Sequence, residues 1–175
     1  MSVNDEIRLA VRQRANFACE FCGVSETDTG GELTIDHFQP QTHSGTDGLE
    51  NLIYACPRCN QYKGDYWPTS PEQPNLWNPR SETRQVHFLT LADGILYPIT
   101  PTGEFTLRRL RLNRPPLVAY RLREQVRREE TQLLTRYRDI ITALEQLHKQ
   151  HIALLEEQRQ LLEEQRLLLD IFLNR

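Results

Sequence analysis

An aspartate and a histidine stand side by side in the stretch LTIDHFQP, which covers residues 33–40. The run before them is apolar and β-prone, so Asp36 and His37 are predicted to lie at the end of a strand. A histidine that is neutral near pH 7 can take a proton from water, and a carboxylate is the hard oxygen ligand that a divalent cation prefers. Alone, the pair does not identify a function, and its meaning depends on the residues around it.

Four cysteines form two identical CxxC pairs, Cys19 with Cys22 and Cys56 with Cys59. Each CxxC turn aims two thiolates at one point, and two such pairs are typical of a tetrahedral structural zinc site. Two disulfides would need an oxidising compartment, to which nothing in the sequence points. A redox-active CxxC would explain one pair and leave the other unexplained. We therefore expect a structural zinc ion.

The elements that position these residues are predicted to be short. Residues 4–17 have apolar positions at helical spacing, with Asn4 or Ser2 as the capping residue. The Asp-His stretch and the later NLIYA are predicted to be strands. Pro57 suits the first turn of a helix after the second cysteine pair, and Gly64 suits its end. Three further segments are predicted to be short strands joined by glycine and proline turns: QVHFLTL, ILYPI and GEFTL.

Beyond Pro116 the sequence contains neither glycine nor proline. Such a stretch, rich in leucine, glutamate, glutamine and arginine, predicts helix. Apolar residues recur every seven positions in what we name the leucine row: Val126, Leu133, Ile140, Leu147, Leu154, Leu161 and Leu168. A second row, four residues further on, is partly polar: Tyr137, Leu144, His151, Gln158, Gln165 and Phe172. The pattern predicts a coiled coil or, with a turn near residues 148–151, a helical hairpin.

The run DHFQPQTHSGTDGLENLIYACPRCNQYKGD resembles the HNH endonucleases, or ββα-metal nucleases. Their usual pattern is an Asp-His pair, a proline-containing loop ending in glycines, Asn-Leu, and then Cys-x-x-Cys-Asn-x-x-Lys-Gly. The resemblance covers about residues 8–66, and the segment from LWNPRSETRQVHF to LRLNRPPLV looks like the tail of small stand-alone members. Two positions depart from the pattern, because Asn60 replaces the last histidine and Ser44 replaces the first glycine of the loop.

The resemblance implies an α+β fold, with a zinc-stabilised ββα-metal (HNH) domain followed by a long helical extension. It implies that His37 is the general base and that Asp36 and Asn60 hold a catalytic Mg²⁺ or Mn²⁺ ion. It also implies that Asn51 holds the loop between the strands and orients His37, and that the zinc ion is structural. These residue types suit phosphodiester hydrolysis, which needs an activated water and positive charge near the phosphate.

Basic residues near these positions are predicted to contact nucleic-acid phosphates: His43, Arg58, Lys63 and Arg80. Although the whole chain has a net charge of −3, residues 108–138 contain ten arginines and three glutamates. This arginine block predicts a surface that contacts nucleic-acid backbone. The alternative is a helix face whose arginines pair with the three glutamates.

We therefore expect an HNH nuclease domain with structural zinc and a short β tail in residues 1–115. A helical extension, residues 116–175, would serve oligomerisation or partner docking. The expected function is metal-dependent hydrolysis of DNA phosphodiester bonds, by nicking or double-strand cleavage, in a homodimer or with a partner protein. The alternatives are a zinc-supported module that binds nucleic acid without cutting it and recruits a partner, and a structural coiled-coil protein with a zinc head. Because neither a long apolar run nor a signal peptide is evident, we expect a cytoplasmic protein without membrane contact.

Overall fold

A computed structural model of the chain describes residues 4–173 as short helices, two small sheets and one long helix. The elements follow one another in this order: α1 (Asp5–Arg14), α2 (Glu26–Thr29), β1 (Thr34–His37), a 3-10 helix (Gln41–His43), β2 (Leu52–Ala55), α3 (Pro57–Lys63), α4 (Arg84–His87), β3 (Phe88–Thr90), β4 (Leu96–Pro98), α5 (Pro101–Arg109) and α6 (Pro115–Leu173). The fold is α+β with a long C-terminal helix, as predicted.

Strands β1 and β2 pair antiparallel, and α3 follows β2 after a single residue. The register runs from Thr34 opposite Ala55 to His37 opposite Leu52. All four residues of β2 are buried, which explains its continuous apolar sequence, LIYA. Pro57 begins α3 and Gly64 ends it with φ +53°, as the sequence predicted. Together β1, β2 and α3 make a ββα unit.

Helix α1 packs against this unit and closes its core. The Asn4 side chain caps the helix by accepting a hydrogen bond from the Glu6 amide at 3.0 Å, as predicted for Asn4, while Ser2 lies outside the described residues. The helix ends at Arg14, earlier than expected, because the chain turns through left-handed conformations at Asn16 and Phe17 toward the first cysteine pair. Large, wholly buried apolar side chains make up the core, among them Val11, Phe21, Leu52, Ile53, Tyr54, Leu110 and Leu112.

The segment GEFTL was predicted to be a strand, and this prediction is wrong: it belongs to helix α5. Thr100 caps the helix by accepting a hydrogen bond from the Gly103 amide at 3.0 Å, and Pro101 occupies its first turn. A Cβ atom on Gly103 would lie 2.4 Å from the His87 carbonyl oxygen. The glycine therefore permits close packing of α5 on α4 and does not mark a turn. Likewise, QVH of the predicted strand QVHFLTL forms α4, and only FLT is strand.

Helix α6 is continuous from Pro115 to Leu173, so the chain does not form the helical hairpin. Contacts between residues divide the chain into two compact units, of which the first ends at Glu124 and the second begins at Gln125. From Val126 to Leu173 every residue is exposed, and the seven residues of the leucine row are 52–61 % exposed. The predicted division of the chain at residues 115 and 116 stays a prediction.

No helix in the range 4–173 has both the length and the apolar character that crossing a membrane requires.

Candidate active site and metal centre

The four cysteines converge on one buried point. Their sulfur atoms all lie within 4.8 Å of one another, and those of Cys22 and Cys56 are 3.7 Å apart. Four ligands about 2.3 Å from a tetrahedral zinc ion would be about 3.8 Å from one another, so this spacing fits the ion. All four are free thiols, which excludes the disulfide alternative in this structure. The cluster could hold a metal ion such as zinc, and it joins the loop after α1 to the first turn of α3.

Arg114 brings a positive charge to the cysteine cluster. Its Nη2 atom lies 3.9 Å from the sulfur of Cys56 and 3.8 Å from that of Cys59. Its Nη1 atom donates to the Leu110 carbonyl at 3.1 Å, which fixes the side chain in this direction. Four thiolates around a divalent ion carry a net charge of −2, so a guanidinium at this position offsets part of that charge. The sequence placed Arg114 in the arginine block and gave no sign of this contact.

Several other members of the arginine block are also structural. Arg121 is buried, and it donates to the carbonyls of Gly94 at 2.5 Å and Leu112 at 2.9 Å. Arg109 donates to the Lys63 carbonyl at 2.9 Å. Neither predicted role of the block, a backbone-contacting surface or pairing with three glutamates, describes these arginines.

Asp36 lies on β1 with its carboxylate directed at Lys63 on α3. The Lys63 side chain is 1 % exposed, and its ammonium donates to the His37 carbonyl at 2.6 Å and lies 3.2 Å from Oδ2 of Asp36. Burial raises the pKa of the Asp36 carboxyl, and the Lys63 charge opposes that rise. Oδ2 is itself buried, and its partner among residues 4–173 is the Lys63 ammonium, with which it forms an ion pair and no hydrogen bond. Carboxylate oxygens are the ligands that a divalent cation prefers.

His37 is held by a residue that the sequence analysis did not identify, Asp47. The Nε2 atom of His37 lies 2.7 Å from Oδ1 of Asp47, in the loop between β1 and β2. Because a carboxylate only accepts, Nε2 carries the proton in this bond and Nδ1 keeps its lone pair. Gln41 donates to the same oxygen at 2.9 Å. The hydrogen bond from His37, followed by that from Gln41, lowers the pKa of Asp47.

Asn51 ties the loop together with three hydrogen bonds. Its Oδ1 atom accepts from the Gln39 amide at 2.8 Å, and its Nδ2 atom donates to the carbonyls of Gln39 at 3.0 Å and Thr46 at 2.8 Å. Thr46 precedes Asp47, so Asn51 fixes the backbone on both sides of the loop. Its connection to His37 therefore runs through the loop backbone and Asp47.

Asn60 projects from α3 toward β1. Its Nδ2 atom donates to Oγ1 of Thr34 at 3.2 Å, which leaves the amide oxygen for another interaction. Asn60 and Lys63 are almost one helical turn apart, so they lie on the same side of α3. Asp36, His37, Asn60 and Lys63 thus belong to one β1–α3 junction.

The basic residues predicted to contact phosphates have different surroundings. Lys63 is buried and bonded as described, so it has no surface open to a phosphate in this structure. Arg80 pairs with Glu20 at 2.5 Å. Arg58 is exposed and donates to Gln61 at 3.2 Å, while His43 is half-buried at the end of the 3-10 helix. All four phosphate contacts stay predictions, and Lys63 is the least accessible of the four residues.

These features define a small ββα domain with a four-cysteine cluster and an Asp-His pair at the end of its first strand. Residues 19–66 match the family model described as HNH endonuclease. Over 54 residues the chain is 43 % identical to the CRISPR-associated endonuclease Cas9 of Corynebacterium diphtheriae. That alignment covers 30 % of this chain and spans 5 % of the relative's own length. No solved structure matches the chain. The chain contains an HNH endonuclease domain, which confirms the resemblance.

Proposed function

We propose that the protein is a metal-dependent endonuclease that hydrolyses DNA phosphodiester bonds at the junction of β1 and α3. The observation that carries the proposal is the Asp-His pair of β1, in which His37 bonds to Asp47 and Asp36 pairs with Lys63, within an HNH domain. A site that only bound nucleic acid would have no use for a buried carboxylate next to the phosphate, since like charges repel.

His37 acts as the general base in this proposal. The Asp47 carboxylate keeps the proton on Nε2, so Nδ1 can accept a proton from the attacking water. The same carboxylate stabilises the positive charge that forms on the ring when the proton arrives. Asn51 acts indirectly, because it fixes the loop that carries Asp47.

Asp36 and the amide oxygen of Asn60 would hold the divalent cation. When bound, a Mg²⁺ or Mn²⁺ ion supplies positive charge that stabilises the phosphate in the transition state. Lys63 pairs with the Asp36 carboxylate, so its charge opposes the rise that burial causes in the pKa of that carboxyl. The cysteine cluster is separate, and we propose that it holds a structural zinc ion that joins the start of the domain to α3.

A plasmid assay tests the proposal. Purified protein is incubated with supercoiled DNA in Mg²⁺ or Mn²⁺, and in parallel with the metal withheld. We expect open-circular or linear product only with the metal. Retained DNA binding without cleavage in either metal would overturn the proposal and favour a module that recruits a partner.

Replacing Asp47 with asparagine is expected to lower the cleavage rate at saturating DNA by at least about tenfold. The asparagine amide can donate to Nε2, which would favour the tautomer protonated on Nδ1 and remove the base. In this proposal Asp47 acts through His37 and not on the reacting phosphate, so we expect KM to change little. Steady-state cleavage kinetics measure both quantities.

Glu50→Gln is the matched control, because it removes one exposed carboxylate from the same loop. If Asp47→Asn and Glu50→Gln slow cleavage equally, the effect comes from charge in the loop and not from the orientation of His37.

We also propose that the C-terminal helix joins two copies of the chain. Its leucine row is more than half exposed along the whole second unit, and burying such a row against a second copy would remove apolar surface from water. A single ββα site cuts one strand, so two copies would supply the two sites that double-strand cleavage needs.

Light scattering after size exclusion is expected to give twice the chain mass of 20.6 kDa. The double variant Leu147→Glu with Leu154→Glu places charges in the row and should give the mass of one chain. Gln146→Glu adds a charge outside both rows and should leave the mass of the pair unchanged. A single-chain mass for the unmodified protein at micromolar concentration would contradict the proposal.

A further inference from the structure

A cavity of about 260 Å³ lies between the residue after β1 and the proline-rich segment that follows α3. Its walls include three aromatic residues and three polar ones: Phe38, Tyr66, Trp67, Asn75, Asn78 and Glu82. Cavities for drug-sized ligands measure about 300–1,000 Å³, so this one is suited to a smaller group, such as a single planar ring system.

Two connections place the cavity beside the candidate active site. Phe38 directly follows His37, and its amide donates to the Asn51 carbonyl at 2.8 Å. On the other wall, the Arg109 guanidinium lies 4.3 Å from the centre of the Tyr66 ring and also donates to the carbonyl of Lys63, the partner of Asp36. The cavity therefore lies beside the backbone that positions the two candidate catalytic residues of β1, Asp36 and His37.

The aromatic walls present ring surfaces. Phe38 and Trp67 meet edge to face with their ring centres 5.9 Å apart, and both side chains are only half-buried. The Tyr66 hydroxyl donates to the Pro74 carbonyl at 2.5 Å, which fixes the ring and uses its donor. Fixed, partly exposed aromatic rings are the surfaces on which unpaired nucleobases stack.

The polar wall disfavours phosphate and offers both a hydrogen-bond acceptor, Glu82, and a hydrogen-bond donor, Asn78. None of the described lining residues is lysine, arginine or histidine, and Glu82, whose Oε2 atom lies 3.3 Å from Nε2 of the buried His87, contributes a carboxylate that would repel a phosphate. Asn78 accepts from the Arg80 amide at 2.9 Å through Oδ1, so its Nδ2 atom is its remaining polar group. Glu82 only accepts hydrogen bonds, as expected for a contact with an exocyclic amino group.

We propose that this cavity binds one unpaired nucleobase next to the phosphate that is cut, and that it prefers bases with an exocyclic amino group over thymine. The inference rests on the proposed nuclease function, because it names the part of the substrate that the same site recognises. It implies that the substrate offers a base outside the duplex stack, either in a single strand or after extrusion from the helix.

Tryptophan fluorescence tests the inference without requiring cleavage. Trp77 is 2 % exposed, so Trp67 is the tryptophan that a bound base can reach. We expect oligo-dC to quench the emission of the zinc-loaded protein without added Mg²⁺ or Mn²⁺. Oligo-dT of equal length should need at least a tenfold higher concentration for the same quenching.

Two variants complete the experiment. Trp67→Phe should remove the quenching and keep the emission of buried Trp77, which also reports that the domain is folded. Glu82→Gln keeps the side-chain size. In this variant the concentrations of oligo-dC and oligo-dT that give equal quenching should lie within about twofold of each other. Equal quenching by the two oligonucleotides, or quenching that persists in Trp67→Phe, would overturn the inference.

The outcomes separate this inference from the proposed function. Plasmid cleavage without base-dependent quenching would exclude the nucleobase site and support the nuclease function. Base-dependent quenching without plasmid cleavage would support the nucleobase site and exclude the nuclease function.

Discussion

His37→Ala is expected to lower the rate of metal-dependent plasmid cleavage by at least about 10²-fold, which is the lower end of what a positioned general base contributes. Alanine removes the proposed proton acceptor, while Asp36 remains to hold the cation. DNA affinity should change little, because His37 acts on the water and not on the DNA backbone. The loss should therefore appear in the rate at saturating DNA.

The matched control is His148→Ala, which removes the same side chain from the exposed helix outside the domain. It should cleave at the unmodified rate. Both variants should contain the same amount of zinc and unfold at the same temperature, since among residues 4–173 the His37 side chain has one hydrogen-bonding partner, a loop carboxylate that is itself 48 % exposed. Cleavage by His37→Ala at the unmodified rate would mean that a different group activates the water.

The features that the sequence predicted correctly are those whose signal is local. The two CxxC pairs define the cysteine cluster because each pair sets the direction of two sulfur atoms within one turn. The bounds of α3 follow from Pro57 and Gly64, which act on the backbone at their own positions. The Asp-His pair lies at the end of a strand because an apolar, β-prone run precedes it. None of these inferences required knowledge of a distant partner.

The features that the sequence did not predict depend on contacts between separated residues. Asp47 is ten residues from His37, Lys63 is 26 residues from the His37 carbonyl, and Arg114 is 55 residues from Cys59. An aspartate in a polar loop and an arginine in a basic block have no pattern that distinguishes them from their exposed neighbours. The loop aspartate had one usable signal, because a histidine base needs an acceptor on its second nitrogen.

The same limit explains the assignment of α5. The segment GEFTL, which includes Gly103, was predicted to be a short strand. The role of this glycine is to let α5 approach the His87 carbonyl, which is a tertiary contact. Propensity was overridden by packing, as happens where a small residue lies between two elements.

Removing zinc is expected to unfold the nuclease domain. Binding of structural zinc by small domains corresponds to about 10–16 kcal/mol, whereas whole proteins are stable by about 5–15 kcal/mol. Here the ion would join the loop after α1 to α3, and all four cysteines are buried in the same core as Phe21 and Trp77. A strong zinc chelator should therefore shift the emission of Trp77 toward that of a tryptophan in water and abolish the cooperative thermal transition of the domain. Adding zinc back should restore both.

The comparison that distinguishes the two metals is dialysis into buffer without Mg²⁺ or Mn²⁺. This treatment should stop cleavage and leave the Trp77 emission and the unfolding temperature unchanged, because the cation proposed at Asp36 would lie at a partly exposed junction and the proposed zinc ion would lie in the core. Cys59→Ser should behave like protein from which zinc has been removed, whether Mg²⁺ or Mn²⁺ is present. The reason is that serine leaves three sulfur ligands and an oxygen in a wholly buried position. A zinc-free protein that keeps its thermal transition would show that the core alone stabilises the domain, and the cysteine cluster would then need another role.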